Sequence, residues 1–380
     1  MKLSLAPITA TALCAFSLLS ACDDGSGSSV FADDDGPGGN ANGALPGELV
    51  ISLFRETDDY PKNTVLEVDL QSGRYAELSG NASLDANGLR RREVSLRLEK
   101  DRSRPSGMIG TAGDCSEQLD GVTCVLFMDG EARVESVFIV RTEFTSRAKR
   151  SRDGRFIALM STDSGLEMYD LDGQRLAVNA DVRYLGSGSG TPYDWTADGS
   201  ILFARSVSPL VLARTRPHSI DVDSSIELPA AYEGQIEEIA VSLTGERAVL
   251  TLDGDRELNG AIRYRRPVVL DLESLSLYEP LSVEFGESMD AQSVQWSPDG
   301  QWLLFKRNWN IPDVNGLDAL NGLPYSPLYA VRADGGSYAV PSDPSGSTDK
   351  IRMIVMGPES GSDGALDPRN LTGAPSFWRE

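Results

Sequence analysis

The amino-acid sequence predicts an all-β fold, a six-bladed β-propeller closed by N- and C-terminal strands that share one blade. Three observations carry that expectation. First, a tight corner recurs between apolar segments. Gln295-Trp296-Ser297-Pro298-Asp299-Gly300 leads into Trp302-Leu303-Leu304-Phe305, Ser151-Arg152-Asp153-Gly154 into Phe156 to Leu159, Thr196-Ala197-Asp198-Gly199 into Ile201 to Phe203, and Ser242-Leu243-Thr244-Gly245 into Ala248 to Leu250. The corner glycines stand 45, 46 and 55 residues apart, the period of a four-stranded blade. Second, an Asp-containing turn recurs downstream of these corners, at Phe127-Met128-Asp129-Gly130, Tyr169-Asp170-Leu171-Asp172-Gly173, Leu270-Asp271-Leu272-Glu273-Ser274 and Val331-Arg332-Ala333-Asp334-Gly335. Third, the two ends are complementary half-repeats: Pro46-Gly47-Glu48-Leu49 begins at a corner, and Pro375-Ser376-Phe377-Trp378 stops before one. Joined in one blade, they would remove the two open sheet edges of a broken ring.

Taken in order, residues 1–21 read as a targeting segment, with Lys2 its one charge and an apolar run from Leu3 to Leu19. Leu19-Ser20-Ala21-Cys22 resembles the lipobox of bacterial lipoproteins, which implies cleavage before Cys22 and acylation of that cysteine. Several acyl chains on one residue suffice for stable anchoring, whereas a single chain is marginal. Asp23 follows directly, and an aspartate there resembles the signal that keeps enteric lipoproteins on the periplasmic face of the inner membrane, with the outer membrane as the alternative. Residues 22–46 are rich in Asp, Gly and Ser, with almost nothing to bury, and are expected to form a disordered tether with a reach of about 25–30 Å. The propeller is expected over residues 47–380.

Within each repeat the corner joins strand a to strand b, a loop joins b to c, and the Asp-containing turn joins c to d. Glycine late in each corner supplies the positive φ such turns need, and Pro298 presets φ in its own. Two weaker corners, Asn87-Gly88 and Pro46-Gly47, bring the series to six. Helical periodicity is not visible after the targeting segment.

At these corners the chain resembles the WD40-like PD40 repeats of TolB-type propellers. Trp296-Ser297-Pro298-Asp299-Gly300 with Phe305 matches that pattern nearly in full, and Ser151-Arg152-Asp153-Gly154 with Met168 to Gly173 matches it well. Thr244 replaces the corner aspartate in another copy, and Asn87 stands there in blade two. The resemblance spans most of Gly47 to Trp378 and implies six blades. TolB proteins carry an α/β domain ahead of their propeller where this sequence has a tether, so the resemblance is taken for the fold.

Composition narrows the partners. A net charge of −22 argues against nucleic acid and against an anionic lipid surface, and is compatible with a basic protein partner. With Cys14 removed and Cys22 acylated, Cys115 and Cys124 remain, nine residues apart, and are expected to form a local disulfide. One histidine in the chain rules out a zinc site on ligand count. That residue, His218, has no catalytic partner in the sequence around it. Gly186-Ser187-Gly188-Ser189-Gly190 looks like a nucleophile elbow, but glycine holds its central position. Asp313-Val314-Asn315-Gly316-Leu317-Asp318 spaces oxygen ligands as calcium loops do, without the EF-hand's glycine position or terminal glutamate. No catalytic residue, metal ligand or cofactor is therefore assigned.

Three readings follow: a lipid-anchored, monomeric, non-enzymatic binding module for an envelope protein; a calcium-dependent, lactonase-like propeller hydrolase; or a purely structural envelope protein. Antiparallel connectivity puts a–b corners and c–d turns on one face, uniformly short, and the b–c loops on the other. Long b–c loops are expected at Arg55–Asn63, Asp101–Gly121, Asp253–Arg266 and Asn308–Ser326. Long insertions on one face of a rigid ring are where binding usually resides. Tyr60, Tyr264, Arg265, Trp309 and Tyr325 are the expected partner contacts, being residue types enriched at interface hot spots.

Overall fold

Each corner is a small hydrogen-bonded unit, and these units set the ring. Ser297 Oγ donates to Asp299 Oδ1 at 2.5 Å, the Gln301 amide donates to the same oxygen at 2.9 Å, and the Trp302 amide donates to Ser297 Oγ at 2.9 Å. Ser151 with Asp153, and Thr196 with Asp198, repeat the arrangement at 2.6 Å each. Gly154, Gly199, Gly245 and Gly300 take φ of 73°, 81°, 80° and 66°, the left-handed region that glycine enters without a Cβ clash.

The computed structural model describes residues 45, 47–56, 61–71, 75–86, 96–113, 115, 122–140, 146–161, 164–180, 182, 192–207, 209–232, 235–254, 264–282, 291–307, 328–341, 346–354 and 375–379. Blade one contributes β1 (Glu48–Glu56), β2 (Pro61–Asp69) and β3 (Tyr75–Glu77). Blade two is β4 (Arg97–Lys100), β5 (Met108–Gly113), β6 (Thr123–Met128) and β7 (Val134–Val140). Blade three is β8 (Lys149–Arg150), β9 (Ile157–Ser161), β10 (Gly165–Tyr169) and β11 (Arg175–Asn179). Blade four is β12 (Tyr193–Trp195), β13 (Ile201–Val207), β14 (Leu210–Thr215) and β15 (Val222–Glu227). Blade five is β16 (Gln235–Val241), β17 (Arg247–Gly254), β18 (Tyr264–Asp271) and β19 (Leu277–Tyr278). After β20 (Leu281–Ser282), blade six is β21 (Ala291–Trp296), β22 (Trp302–Arg307), β23 (Leu328–Arg332) and, beyond β24 (Tyr338–Ala339), β25 (Ile351–Ile354). The last strand, β26 (Pro375–Arg379), pairs antiparallel with β1, giving the order β26-β1-β2-β3. The expected closure is therefore present, with the C-terminal strand innermost.

Packing shows that the ring has six members and is shut. The buried apolar side chains form six clusters, one between each neighbouring pair of blades, including blades six and one. Strand periodicity assigns residues to them. Ile157 and Leu159 of β9 pack toward blade two, while Ala158 and Met160 pack toward blade four. Central strands are thus buried on both faces, which is why they read as continuous apolar runs rather than alternating ones. Trp195 and Trp296, one residue before their corners, lock adjacent inner strands: their Nε1 atoms donate to Lys149 O at 2.9 Å and to Ala240 O at 2.8 Å.

Four expectations need correction. Asn87-Gly88 precedes β4 and is not the corner of blade two, which lies at 101–107. There Asp101 replaces the Ser/Asp unit, accepting from Ser103 N at 3.0 Å and Ser103 Oγ at 2.6 Å. The stretch Asp101–Gly121 accordingly divides into that corner, β5 and a shorter b–c connection. The b–c loop expected at Arg55–Asn63 narrows to 57–60, because β1 and β2 pair out to Glu56 and Pro61. Among the described residues there is one α-helix, α1 (Asn81–Ala86), too short to show a period; Asn81 Oδ1 accepts from Val65 N at 3.0 Å and pins it to β2. Finally, the c–d connection of blade six is long, 333–350, and its β24 pairs in parallel with β20.

Candidate functional site

Two kinds of surface are available to such a ring: the channel along its axis, and the two faces. The corner turns and the c–d turns share one face, shown by direct backbone bonds between them. The amides of His218, Leu272 and Ala333 donate to the carbonyls of Gly199, Glu246 and Gln301 at 2.8, 2.8 and 2.9 Å. In the c–d turns Asp129, Asp170 and Asp271 each accept backbone amides two to four residues on, so the recurrent aspartate is a turn cap.

The channel is filled by a charged network from the inner strands. Two residues before the corners stand Glu99, Lys149, Asp194 and Gln295; four before stand Arg147 and Glu238. Arg147 Nη1 reaches Glu99 Oε1 at 3.0 Å and Glu238 Oε1 at 3.3 Å, joining blades two, three and five. Lys149 Nζ donates to Ile239 O at 3.1 Å and lies 3.5 Å from Asp194 Oδ1. Two arginines from the corners strap the mouth. Arg102 Nη2 donates to Asp194 Oδ2 at 2.6 Å, from blade two to blade four. Arg152 donates to Leu243 O and Ser242 O at 2.5 and 2.6 Å, from blade three to blade five.

Burial and partners set the charge states here. Burial would raise the Asp194 carboxyl, but Arg102, Lys149 and the Val241 amide outweigh it and hold it below the usual carboxylate value. Glu238 goes the other way: burial raises it, and Arg147 and Lys149 offset only part of that. Burial opposes the charge on Arg147, yet Glu238 and Glu99 more than restore it. Among the described residues, no three His, Cys, Asp or Glu side chains converge as metal ligands do. Space between blades one, two, five and six at the axis amounts to about 20 Å³, room for about one water.

The sequence-predicted residues fall as follows. Cys115 and Cys124 are bonded, with Cα atoms 5.9 Å apart, across the b–c connection of blade two. Tyr264 opens β18 opposite Gly254. Arg265 is 13% exposed in its side chain and held by Glu237 at 2.5 Å, so it braces blade five. Tyr60, Trp309, Tyr325, Cys22, the Gly186–Gly190 run and the Asp313–Asp318 loop lie outside the described residues. His218 packs at a tilt against Phe156, with ring centroids 5.8 Å apart, and lies 3.5 Å from Asp153 on the corner face, joining blades three and four. The channel residues escaped the sequence reading. Their one local signal is register: charged or amide side chains at fixed steps before a corner, on strands that are otherwise apolar.

No family model matches the chain, and no curated protein matches it in sequence. Solved structures do resemble it. Hydrazine synthase of Kuenenia stuttgartiensis is 18% identical, with a TM-score of 0.46 over 66% of this chain and 67% of that one. TolB of Acinetobacter baumannii is 13% identical, with a TM-score of 0.41 over 81% of this chain and 69% of that one. The GH74 enzyme of Niastella koreensis is 14% identical, with a TM-score of 0.46 over 83% of this chain and 46% of that one. The propeller assignment rests on the sheet order and the six interface clusters, and these similarities carry no argument about activity.

Proposed function

We propose that the chain is a lipid-anchored cell-envelope propeller that works as a non-enzymatic protein-binding module, tethered through Cys22 and presenting its b–c face to an envelope protein. One observation carries the reading: the connections of the two faces differ in kind. On the corner face the a–b connections are short, five residues at 196–200, 242–246 and 297–301, six at 151–156 and seven at 101–107. On the opposite face the b–c connections run from 208–209 in blade four to 255–263 in blade five and 308–327 in blade six. The filled channel supports it further, because a plugged ring offers its faces to partners rather than its axis.

Trp309 and Tyr325, both within 308–327, are placed in the footprint, with Tyr60 and Tyr264 at its margin. The test is alanine at both Trp309 and Tyr325 in a protein whose melting transition is unchanged. Capture of the partner from solubilised membranes is expected to weaken about tenfold or more, as for paired aromatic hot spots. Undiminished capture overturns the assignment of the face. Changing Cys22 to serine is expected to abolish acyl labelling and release the protein from the membrane fraction; persistent labelling overturns the anchor. The calcium-dependent hydrolase would need carboxylate or amide ligands free in the central channel, where Glu99 and Glu238 are matched by Arg147 and Asp194 by Arg102.

A further inference from the structure

Blades splay apart toward the rim, and between the outer strands of blades three and four this leaves an open cleft of about 440 Å³. That volume lies in the range of small-molecule sites, about 300–1,000 Å³. Its floor is apolar and buried: Val182, Phe203 and Ile220 are 2%, 0% and 5% exposed. Its lips are apolar too, yet open, for Val178 and Val222 are 40% and 38% exposed. Arg205, at the irregularity in the β13–β14 register two residues beyond Phe203, completes the wall.

Charge decides what fits. Among the described residues most arginines are matched by a carboxylate or a carbonyl, as Arg214 is by Asp198 at 2.7 Å and Arg216 by Asp221 at 2.5 Å. Arg205 is exposed and has no hydrogen-bond or ion-pair partner among the described residues. Among the described residues lining the cleft the one carboxylate is Asp221, already matched by Arg216. An unmatched guanidinium beside an apolar floor is complementary to a carboxylate on a hydrocarbon body, which the planar fork can hold through two hydrogen bonds.

We propose that the cleft between blades three and four binds a small amphipathic monocarboxylate, with its carboxylate on Arg205 and its hydrocarbon body between Val178 and Val222 over Phe203. The site is separate from the b–c loops of blades five and six, so it can fail or succeed independently of the partner face.

The experiment is calorimetric titration of octanoate, octylamine and octanol into the full chain carrying Cys22→Ser, purified without detergent. Octanoate is expected to bind saturably at one site, and at least about tenfold more tightly than the amine or the alcohol, the scale of a charged hydrogen bond. Arg205→Gln is expected to remove that preference, leaving octanoate no tighter than octanol. Val178→Asp is expected to abolish binding, with Val178→Ala, which weakens it, as the second variant should the first fail to fold. Equal binding of all three probes, an unchanged octanoate affinity in Arg205→Gln, or no saturable octanoate binding would each overturn the proposal.

Discussion

On the corner face, Ser297, Asp299 and Gly300 close a five-residue connection with local bonds between the corner and the first residue after it. On the opposite face, the connection from β22 to β23 takes the twenty residues 308–327, and that from β13 to β14 takes two. The same strands leave both faces, so strand chemistry does not explain the difference. Local hydrogen bonding accounts for the Ser/Asp/Gly corners: in blade six Ser297 Oγ and the Gln301 amide donate to Asp299 and the Gly300 amide donates to Ser297 O, which fixes the length of that turn. Nothing of the kind fixes the b–c connections, whose lengths vary from blade to blade. The a–b corners are the more uniform set, with the blade-six c–d connection at 333–350 the exception on their face, and the b–c connections are the set whose length varies from blade to blade.

The largest expected effect tests the ring itself. Deleting residues 374–380 removes β26, whose Phe377 and Trp378 are 3% and 2% exposed and pack against blades two and six. Cooperative thermal unfolding is expected to collapse. A truncated protein that melts as the intact one does would mean that the C-terminal strand is not the closure.

Next comes the channel. Arg147→Ala removes the cation that both Glu99 and Glu238, 5% and 6% exposed, contact directly, leaving Lys149 as the remaining positive charge acting on Glu238. Breaking such a buried pair costs about 3–5 kcal/mol, to be read from the denaturation midpoint at constant m. Replacing all three by Arg147→Met, Glu99→Gln and Glu238→Gln is expected to cost far less, because no charge is stranded.

A smaller effect probes the corner rule directly. In blade five Ser242 Oγ meets Thr244 Oγ1 at 3.0 Å, where the other corners place an aspartate that also accepts a backbone amide. Thr244→Asp is expected to stabilise by about 0.5–2 kcal/mol. A loss of stability would show that the corner in blade five follows a different rule.

These cases show what the sequence makes readable. The corners at Ser151, Thr196 and Ser297 were legible because donors and acceptors lie within five residues. Blade two's corner was not, because its local unit is inverted, with Asp101 first and Ser103 third, and it has no Asp-Gly pair; Arg150 Nη1, 49 residues away, adds a further bond to Asp101 at 2.7 Å. Arg147 was equally hidden: Glu99 is 48 residues from it and Glu238 is 91. The long c–d excursion of blade six escaped because a two-residue parallel pairing leaves no pattern. Of the expected partner residues, Arg265 drew attention as an arginine in a loop, yet its partner Glu237 sits on another strand.

The smallest expected effect concerns that excursion, the exception on the corner face. Burial works against ionisation of Asp334, but hydrogen bonds from Tyr338 and Lys350 outweigh it and hold the carboxyl at about 2, below its ordinary 3.8. A depressed folded-state value means stability that is present above pH 3.8 and lost as pH falls toward about 2. Asp334→Asn is expected to flatten that part of the acid-denaturation curve slightly, since solvent screens the half-exposed pair. An unchanged slope would detach Asp334 from the stability of the excursion.

The measurement closest to the central claim is in-cell photo-crosslinking from both faces. A photoreactive residue at Trp309 or Tyr325 samples the b–c face, and one at Asp172 or Glu273, both exposed in c–d turns, samples the corner face. The account predicts a discrete adduct with an envelope protein from Trp309 and Tyr325 and none from Asp172 and Glu273. Adducts from Asp172 and Glu273, with none from the loop positions, would contradict it.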